Sequence, residues 1–406
     1  MDIEMKPKHL VMVTASANNN KYYNMIPQGD SWIAEYGRVG SSSQRREYSM
    51  NQWDKKYQEK IKKGYVDQSD LVEDLIHITK SNKKEVSYKE IENKVIAGIV
   101  ERLQQMARKA ISDNYTISSN KVTQAMIEEA QNVLSKLIAA NDTKRFNNIL
   151  IELFSVIPRK MGNVSAYLAE KKEDYSKIVQ REQDLLDVMK GQVVQKQVEN
   201  VAVKENTQEQ ITILEAMGLE VEECDDSDIV KIKNELGSCS NKFHSAWRVK
   251  NLKTSQRFDD FIKNENIEDT KLLWHGSRNE NWWSIINTGL VLRPTNAVIT
   301  GKMFGIGTYF ATKAQKSLGY TSLDGSYWAN GNSSSAFMAL MEVAYGKPYD
   351  VYSFDSKYYD YDYKKLQQAS PGANCLHAHA GSMLRNDEIV VYKEEQSTIR
   401  YLVELK

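Results

Sequence analysis

The chain has 406 residues, 41% of them hydrophobic, and its 54 Lys and Arg balance 54 Asp and Glu. That length exceeds one ordinary core and suggests roughly two to four domains. With zero formal net charge no global field draws the chain to nucleic acid, so any such contact rests on a local patch. The three cysteines Cys224, Cys239 and Cys375 are far apart and form no C-x-x-C pair, which argues against a disulfide framework or a cysteine zinc module. The start, Met1-Asp2-Ile3-Glu4-Met5-Lys6, has no apolar run, and no later stretch approaches the roughly 18 apolar residues of a membrane span. A soluble, intracellular protein is expected.

In chain order, residues 8–14 and 32–39 read as short strands, separated by the turn-rich Asn18-Asn19-Asn20 and Pro27-Gln28-Gly29-Asp30. A basic helix is expected from about Gln52 to Lys63. The segment Trp32-Ile33-Ala34-Glu35-Tyr36-Gly37-Arg38-Val39-Gly40 resembles the WGR domain, named for a Trp-Gly-Arg run, with Tyr36 where the naming Trp stands. The resemblance implies a small mixed α/β domain over residues 1–80 that recognises DNA ends. Tyr36 would stack on a ribose or base, and Arg38 and Arg45 would bind phosphate. Taken alone, Trp32 and Tyr36 equally suit a core, and Arg45, Arg46, Lys55, Lys56, Lys60, Lys62 and Lys63 a solvated face.

Residues 81–88 are polar and read as a linker. Helical periodicity then sets in, with one apolar face of Ile91, Val95, Ile99, Leu103, Met106 and Ala110 and another of Val122, Met126, Val133 and Leu137. Further helices are expected over Asn147–Ile157, ended by Pro158, over Ile178–Val194, and at about Glu209–Met217. An all-α bundle over 89–220 is the physical conclusion. Phe154-Ser155-Val156-Ile157-Pro158-Arg159, Gly162 and Leu185-Leu186-Asp187 resemble the helical regulatory domain of poly(ADP-ribose) polymerases. That resemblance implies a bundle that restrains the NAD site until DNA loosens it.

From about Ile229 the elements shorten and become rich in aromatic and β-branched residues, as at 242–249, 271–275, 307–311, 337–345 and 388–392. A sheet-based domain over 225–406 follows, making the whole chain a multidomain α+β protein. The acidic-aromatic stretch Tyr352–Lys365 reads as a loop. Three motifs stand out here: Leu272-Leu273-Trp274-His275-Gly276-Ser277-Arg278, Gly305-Ile306-Gly307-Thr308-Tyr309-Phe310-Ala311 and Glu388-Ile389-Val390-Val391-Tyr392. Their ordered His, Tyr and Glu resemble the site of the poly(ADP-ribose) polymerase family.

The resemblance implies a β-sheet-based ADP-ribosyltransferase fold that consumes NAD+ as a substrate and needs no cofactor. Breaking the nicotinamide glycosidic bond puts positive charge on the ribose while the leaving group departs neutral, so a carboxylate is what the transition state requires. Glu388 would be that group. Asp387 is a poor substitute, because a shift of one residue turns the side chain to the other face of the strand. His275 would hydrogen-bond the adenine-side ribose, Gly276 would pair with the carboxamide, and Ser277 would complete the cradle. Tyr309, with Ala311 on the same strand, and Tyr320 would wall the nicotinamide, and Ser317 of Lys316-Ser317-Leu318-Gly319-Tyr320 would bond its carboxamide.

Two phosphate motifs fail: Gly305-Ile306-Gly307 has Phe310 where a dinucleotide fold needs glycine, and Gly301-Lys302 is followed by Met303. His377-Ala378-His379 has no third Cys or carboxylate at ligand spacing, so no metal is expected. The resulting expectation is a polymerase stimulated by DNA ends or nicks, with acceptor proteins including itself as partners. An accessory protein completing the acceptor site is compatible with it, and a membrane is not. A mono-ADP-ribosyltransferase and an inactive DNA-end scaffold stay open as alternatives. The expected location is nuclear in a eukaryote, or cytoplasm and nucleoid in a bacterium.

Overall fold

The alternating apolar residues at the start of the chain form one side of a five-stranded antiparallel sheet, in a computed structural model that describes residues 5–72, 88–115, 122–205, 211–293, 302–382 and 384–406. Its strands are Lys8–Thr14 (β1), Asn19–Gln28 (β2), Ser31–Arg38 (β3), Gln44–Ser49 (β4) and Val66–Asp67 (β5), in the order β4-β3-β2-β1-β5. β2 occupies the interval between the two expected turns, and β4 was not expected. Asn and Pro hide β2, but β1 ends opposite Met25, so Pro27 lies where the strand has a neighbour on one side only. β4 is a charged edge strand, exposed over Gln44–Glu47.

Helices follow at Trp53–Lys62 (α1), Lys94–Asn114 (α2), Gln124–Leu137 (α3), Thr143–Val156 (α4) and Tyr175–Glu205 (α5). Period two turns Trp32, Ala34 and Tyr36 toward Leu10, Tyr23, Met25 and Trp53 of α1, and Trp32 meets Trp53 edge-on at 5.3 Å. Lys60, expected on a solvated face, instead sits 4.0 Å from the centre of the Tyr23 ring, and burial lowers its pKa. α3 and α4 start at side-chain caps, Thr123 accepting from Met126 N and Asp142 from Arg145 N. α4 stops two residues before Pro158, which disfavours helical backbone in the residue ahead of it.

The buried stripe of α2 is Ile96, Ile99, Val100, Leu103, Ala107 and Ile111, while Val95 is 50% exposed. The expected face is therefore turned by about one residue. Both stripes satisfy the helical period, and tertiary packing selects between them. The expected linker lies outside the described residues apart from Tyr88, as does the start of the helix expected at Glu209; the described part is Ile213–Met217 (α6).

By compactness the chain divides into Met1–Glu85 with Lys109–Val193, and Val86–Arg108 with Val194–Lys406. In the first unit Arg159 is buried at 1% exposure, paired with Glu182 at 2.5 Å and bonded to Asn114 Oδ1 at 3.0 Å. The second unit holds a nine-stranded sheet ordered β11-β12-β13-β9-β8-β10-β14-β7-β6. The strands are Leu219–Glu223 (β6), Phe243–Asn251 (β7), Thr270–Gly276 (β8), Thr308–Ala311 (β9), Ala336–Ala344 (β10), Pro348–Val351 (β11), Cys375–Ala378 (β12), Glu388–Val391 (β13) and Ser397–Leu405 (β14). Helices Asp226–Leu236 (α7), Leu252–Asn264 (α8), Trp282–Thr288 (α9), Ala314–Leu318 (α10) and Tyr363–Ala369 (α11) connect them.

Pairing is antiparallel except between β11 and β12. β8 and β9 meet through one residue pair, Trp274 with Ala311, so the sheet has a narrow seam at its centre. The segment read as a loop, Tyr352–Lys365, is a packing element. Its Tyr358 and Tyr361 join Phe304, Leu366, Val390 and Tyr392 in a buried cluster.

Candidate active site

The seam gathers the three signature side chains onto neighbouring strands. His275 lies on β8, Tyr309 on β9 and Glu388 at the head of β13. Glu388 pairs with Ala311, whose other neighbour is Trp274, and Val390 pairs with Tyr309. Directly opposed residues share a face, so Glu388, Ala311 and Tyr309 stand on one side of the sheet. Asp387 has the opposite parity and is occupied elsewhere, accepting from Ala380 N at 2.8 Å and lying 3.2 Å from His377 Nε2.

α10 delivers Lys316 to Glu388, Nζ to Oε1 at 2.9 Å, with side-chain exposures of only 15% and 12%. The opposite side of α10 is flush with the end of β8, where a Cβ on Gly276 would lie 2.0 Å from the Ser317 carbonyl oxygen. Only glycine permits that approach. The buried Ser317 hydroxyl donates to Trp274 O at 3.0 Å, which leaves its oxygen lone pairs as acceptors for a ligand N–H. Ser277 Oγ accepts from Asn281 Nδ2 at 3.0 Å.

His275 Nδ1 lies 3.1 Å from the Tyr309 carbonyl oxygen. A carbonyl only accepts, so Nδ1 carries the proton and the neutral ring presents Nε2 as an acceptor. Burial lowers the His275 pKa from 6.5 to about 4, opposed by the bond to Tyr309 and helped by nearby Lys302. Trp282 and Phe310 enclose the ring, with centroids 6.4 and 5.9 Å away.

The Tyr309 hydroxyl donates to Gly305 O and accepts from Phe304 N, both at 3.0 Å. Burial raises its pKa well above the usual value, so Tyr309 offers a ring face and no proton. Gly305 holds this turn at φ +75°, with its Cα so close to Tyr361 that a Cβ would lie 2.1 Å from the Tyr361 oxygen. Tyr320 has a pKa pushed up to about 12, by burial first and by Glu388 second, although the residue is 43% exposed. Its ring lies parallel to Trp328 at 6.1 Å. Trp328, Asn281 and Trp282 were missed in the sequence; the aromatic pair Tyr327-Trp328 in a Gly-, Ser- and Asn-rich stretch was the available signal.

Of the WGR-like residues, Tyr36 takes the core position that was its alternative reading. Tyr36 stacks on Tyr23 at 5.5 Å. Arg38 directs its Nη1 and Nη2 donors to Asn18 O at 2.8 Å, Met161 O at 3.0 Å and Gly162 O at 2.8 Å, so it pins the β2–β3 sheet to the turn after α4. Arg45 is 68% exposed on β4, 3.5 Å from Glu35. The reasoning against a metal also needs correction. Asp350 supplies the third donor missing from the sequence pattern, and donor atoms of Asp350, His377 and His379 lie within 4.8 Å of one another.

A sheet parted at its centre, with a neutral His, an aromatic wall and a carboxylate around the seam, defines an ADP-ribosyltransferase, which consumes NAD+. Comparison with known proteins agrees. The Poly(ADP-ribose) polymerase catalytic domain matches residues 227–406 and the WGR domain residues 7–72. The poly [ADP-ribose] polymerase-like protein 100L of Invertebrate iridescent virus 6 is 32% identical over 168 residues, spanning 41% of this chain and 87% of that protein. Poly [ADP-ribose] polymerase 2 of Arabidopsis thaliana is 27% identical over 211 residues, 45% of this chain and 32% of that protein. Its Homo sapiens namesake is 41% identical over 83 residues, 20% of this chain and 13% of that protein. The chain belongs to the poly(ADP-ribose) polymerase family. Among the described residues no helix is long and apolar enough to cross a membrane.

Proposed function

We propose that this ADP-ribosyltransferase builds poly(ADP-ribose) in response to broken DNA. It cleaves NAD+ at the nicotinamide glycosidic bond, releases nicotinamide, and passes ADP-ribose to protein acceptors, itself included, and to the growing chain. The observation that carries this reading is Glu388 held by Lys316 at the seam, on the same face as Tyr309. Lys316 engages Oε1, so Oε2 would accept from a hydroxyl of the nicotinamide ribose and stabilise the positive charge that develops there. His275 Nε2 would accept from the adenine-side ribose. Tyr309 and Tyr320 would sandwich nicotinamide, with its amide donating to Ser317 Oγ and pairing with the Gly276 backbone.

The helices from 89 to 220 act, in this proposal, as the restraint that DNA binding relieves. Support comes from two grips on the catalytic sheet and its flank. Arg102 of α2 holds Glu404 of β14 through two bonds of 2.6 and 3.1 Å. Gln195 of α5 accepts from Trp283 Nε1 at 2.9 Å, next to the Trp282 that packs on His275. Arg45 and the exposed edge β4 are the remaining candidate phosphate contacts.

The test is product analysis with labelled NAD+, with and without DNA carrying a 5′-phosphorylated break. Wild type should give long polymer, more of it with broken DNA, and Glu388→Gln should abolish elongation while remaining folded. Polymer of unchanged length from Glu388→Gln would refute the role of that residue. Single ADP-ribose units from wild type would make the enzyme a mono-transferase, and equal rates with intact and broken DNA would remove the regulatory half.

A further inference from the structure

On the face of the sheet opposite Glu388 lies a group of side chains that the transfer reaction does not use. His377 and His379, two residues apart at β12 and its end, share a face, and their rings stack at 3.9 Å and 21°. Asp350 of the edge strand β11 is the parallel partner of His377. Its Oδ1 lies 2.7 Å from His379 Nε2 and 3.9 Å from His377 Nδ1. We propose that Asp350, His377 and His379 form a binding site for one divalent transition-metal ion of the Zn2+ class.

The donor chemistry selects that class. Two imidazoles and one carboxylate are a common open zinc ligand set, and hard ions such as Mg2+ or Ca2+ take oxygen donors. Ligand atoms about 2.0–2.2 Å from a tetrahedral ion sit roughly 3.3–3.5 Å apart. The two separations from Asp350 Oδ1 bracket that value. Closing on an ion needs the two rings, now stacked at 3.9 Å, to turn until both lone pairs converge on it, and the Asp350 side chain, 42% exposed on an edge strand, has room to follow.

The surroundings orient His377 as a ligand. Its Nε2 lies 3.2 Å from Asp387 Oδ2, while Nδ1 lies 2.8 Å from the Tyr345 hydroxyl. The carboxylate can only accept from a neutral imidazole, so Nε2 carries the proton and Nδ1 the lone pair, which at present accepts from Tyr345. A carboxylate behind the distal nitrogen is the usual support of a metal-bound histidine. An ion takes over the Nδ1 lone pair and releases the Tyr345 hydroxyl, and it binds His379 Nε2 as the proton now held toward Asp350 Oδ1 moves to the other ring nitrogen. Tyr352 stacks on the other face of His379 at 4.4 Å.

The location gives the ion a lever. Glu388 pairs with Ala378, the residue between the two histidines, and Asp387 immediately precedes Glu388. An occupied site therefore joins β11 to β12 and, through Asp387, to the strand that carries Glu388. The proposal stands apart from the transfer reaction, because binding is measured without NAD+.

The test uses the full-length chain freed of metal by a chelator, with Zn2+ in equilibrium dialysis and Co2+ as a spectroscopic probe. Wild type should take up one Zn2+ per chain, displace Co2+ that shows the visible bands of a low-coordinate site, and melt at a higher temperature with Zn2+ present. Asp350→Asn and His379→Ala should each remove stoichiometric uptake, and Asp387→Asn should weaken it by about tenfold to a hundredfold. Asp350 is exposed enough that its variant should fold, as an unchanged melting temperature without metal would show. The exposed His244→Ala serves as control and should bind like wild type. No retained Zn2+ in wild type overturns the proposal. So does His379→Ala binding as tightly as wild type, which would put the ion on the cysteines or elsewhere.

Discussion

Replacing Arg102 with Ala should destabilise the catalytic unit by about 2–3 kcal/mol at neutral pH. Glu404 is 1% exposed on β14 and held by the Arg102 fork, with Ser245 Oγ at 3.2 Å as its other donor. Breaking a fully buried ion pair costs about 3–5 kcal/mol because a charge is left uncompensated. Arg102 is 43% exposed, so water screens part of that interaction and the lower figure applies. The pH dependence makes the prediction specific. Burial alone would raise the Glu404 pKa, but the Arg102 bonds prevail and the folded value lies below the usual 4.5. A depressed carboxyl pKa contributes stability above the unfolded pKa and loses it as pH falls through the folded value. Without Arg102 burial outweighs the remaining Ser245 bond and the sign reverses: the carboxyl favours its proton when folded, so the defect shrinks as pH falls from 8 toward about 5. Urea unfolding followed by tryptophan fluorescence at several pH values measures this. Glu404→Gln should cost less, about 1 kcal/mol, because the half-exposed Arg102 is resolvated, and it should show no such pH trend. A cost for Arg102→Ala that stays constant from pH 5 to 8, or falls below that of Glu404→Gln, would refute the reasoning.

Gly276→Ala places a Cβ 2.0 Å from the Ser317 oxygen. The conflict is with backbone, so α10 and Lys316 must move, and a displacement near 1 Å should lower kcat/KM for NAD+ by about a hundredfold; a loss below threefold would show that the cradle does not need the close approach. Trp328→Ala removes the ring beside Tyr320, and an aromatic pair worth about 0.5–1.5 kcal/mol translates into a roughly two- to tenfold rise in KM for NAD+. An unchanged KM would make Trp328 a bystander. His275, with its pKa at about 4, should stay neutral through the physiological range, so KM for NAD+ should show no step near pH 6.5. The same depression means that its contribution to stability is complete above 6.5 and falls as pH drops toward 4; a protonation step near 6.5 in the imidazole NMR signals would contradict both statements.

The residues that carry short-range signals were legible. Trp274-His275-Gly276 reads as a strand running into a glycine, and β8 ends at Gly276. The choice of Glu388 over Asp387 followed from strand alternation, and the bonds of Asp387 to Ala380 and His377 agree with it. What stayed hidden depends on distant partners. Asp350 is 27 positions from His377 and reaches it only through parallel pairing of β11 with β12. The α2 stripe was misplaced because two faces satisfied one period. β4 and β14 escaped notice because charged residues break their alternation, and only an edge position or pairs such as Arg400 with Glu342 make those charges tolerable. Arg38 has no local mark showing that its donors reach the turn at 161–162.

The single residue pair joining β8 to β9 has a consequence for recognition. A sheet interrupted at its middle possesses two strand edges inside the protein, where they are sheltered from the edge-to-edge association that exposed strands invite. His275 reaching the Tyr309 carbonyl substitutes a side chain for one missing rung. A flat carboxamide, bearing one donor group and one acceptor as a peptide does, can be read there by main chain in the manner of an added strand. Part of the specificity for such a group would then belong to backbone geometry, beside the Ser317 hydroxyl of the proposed site.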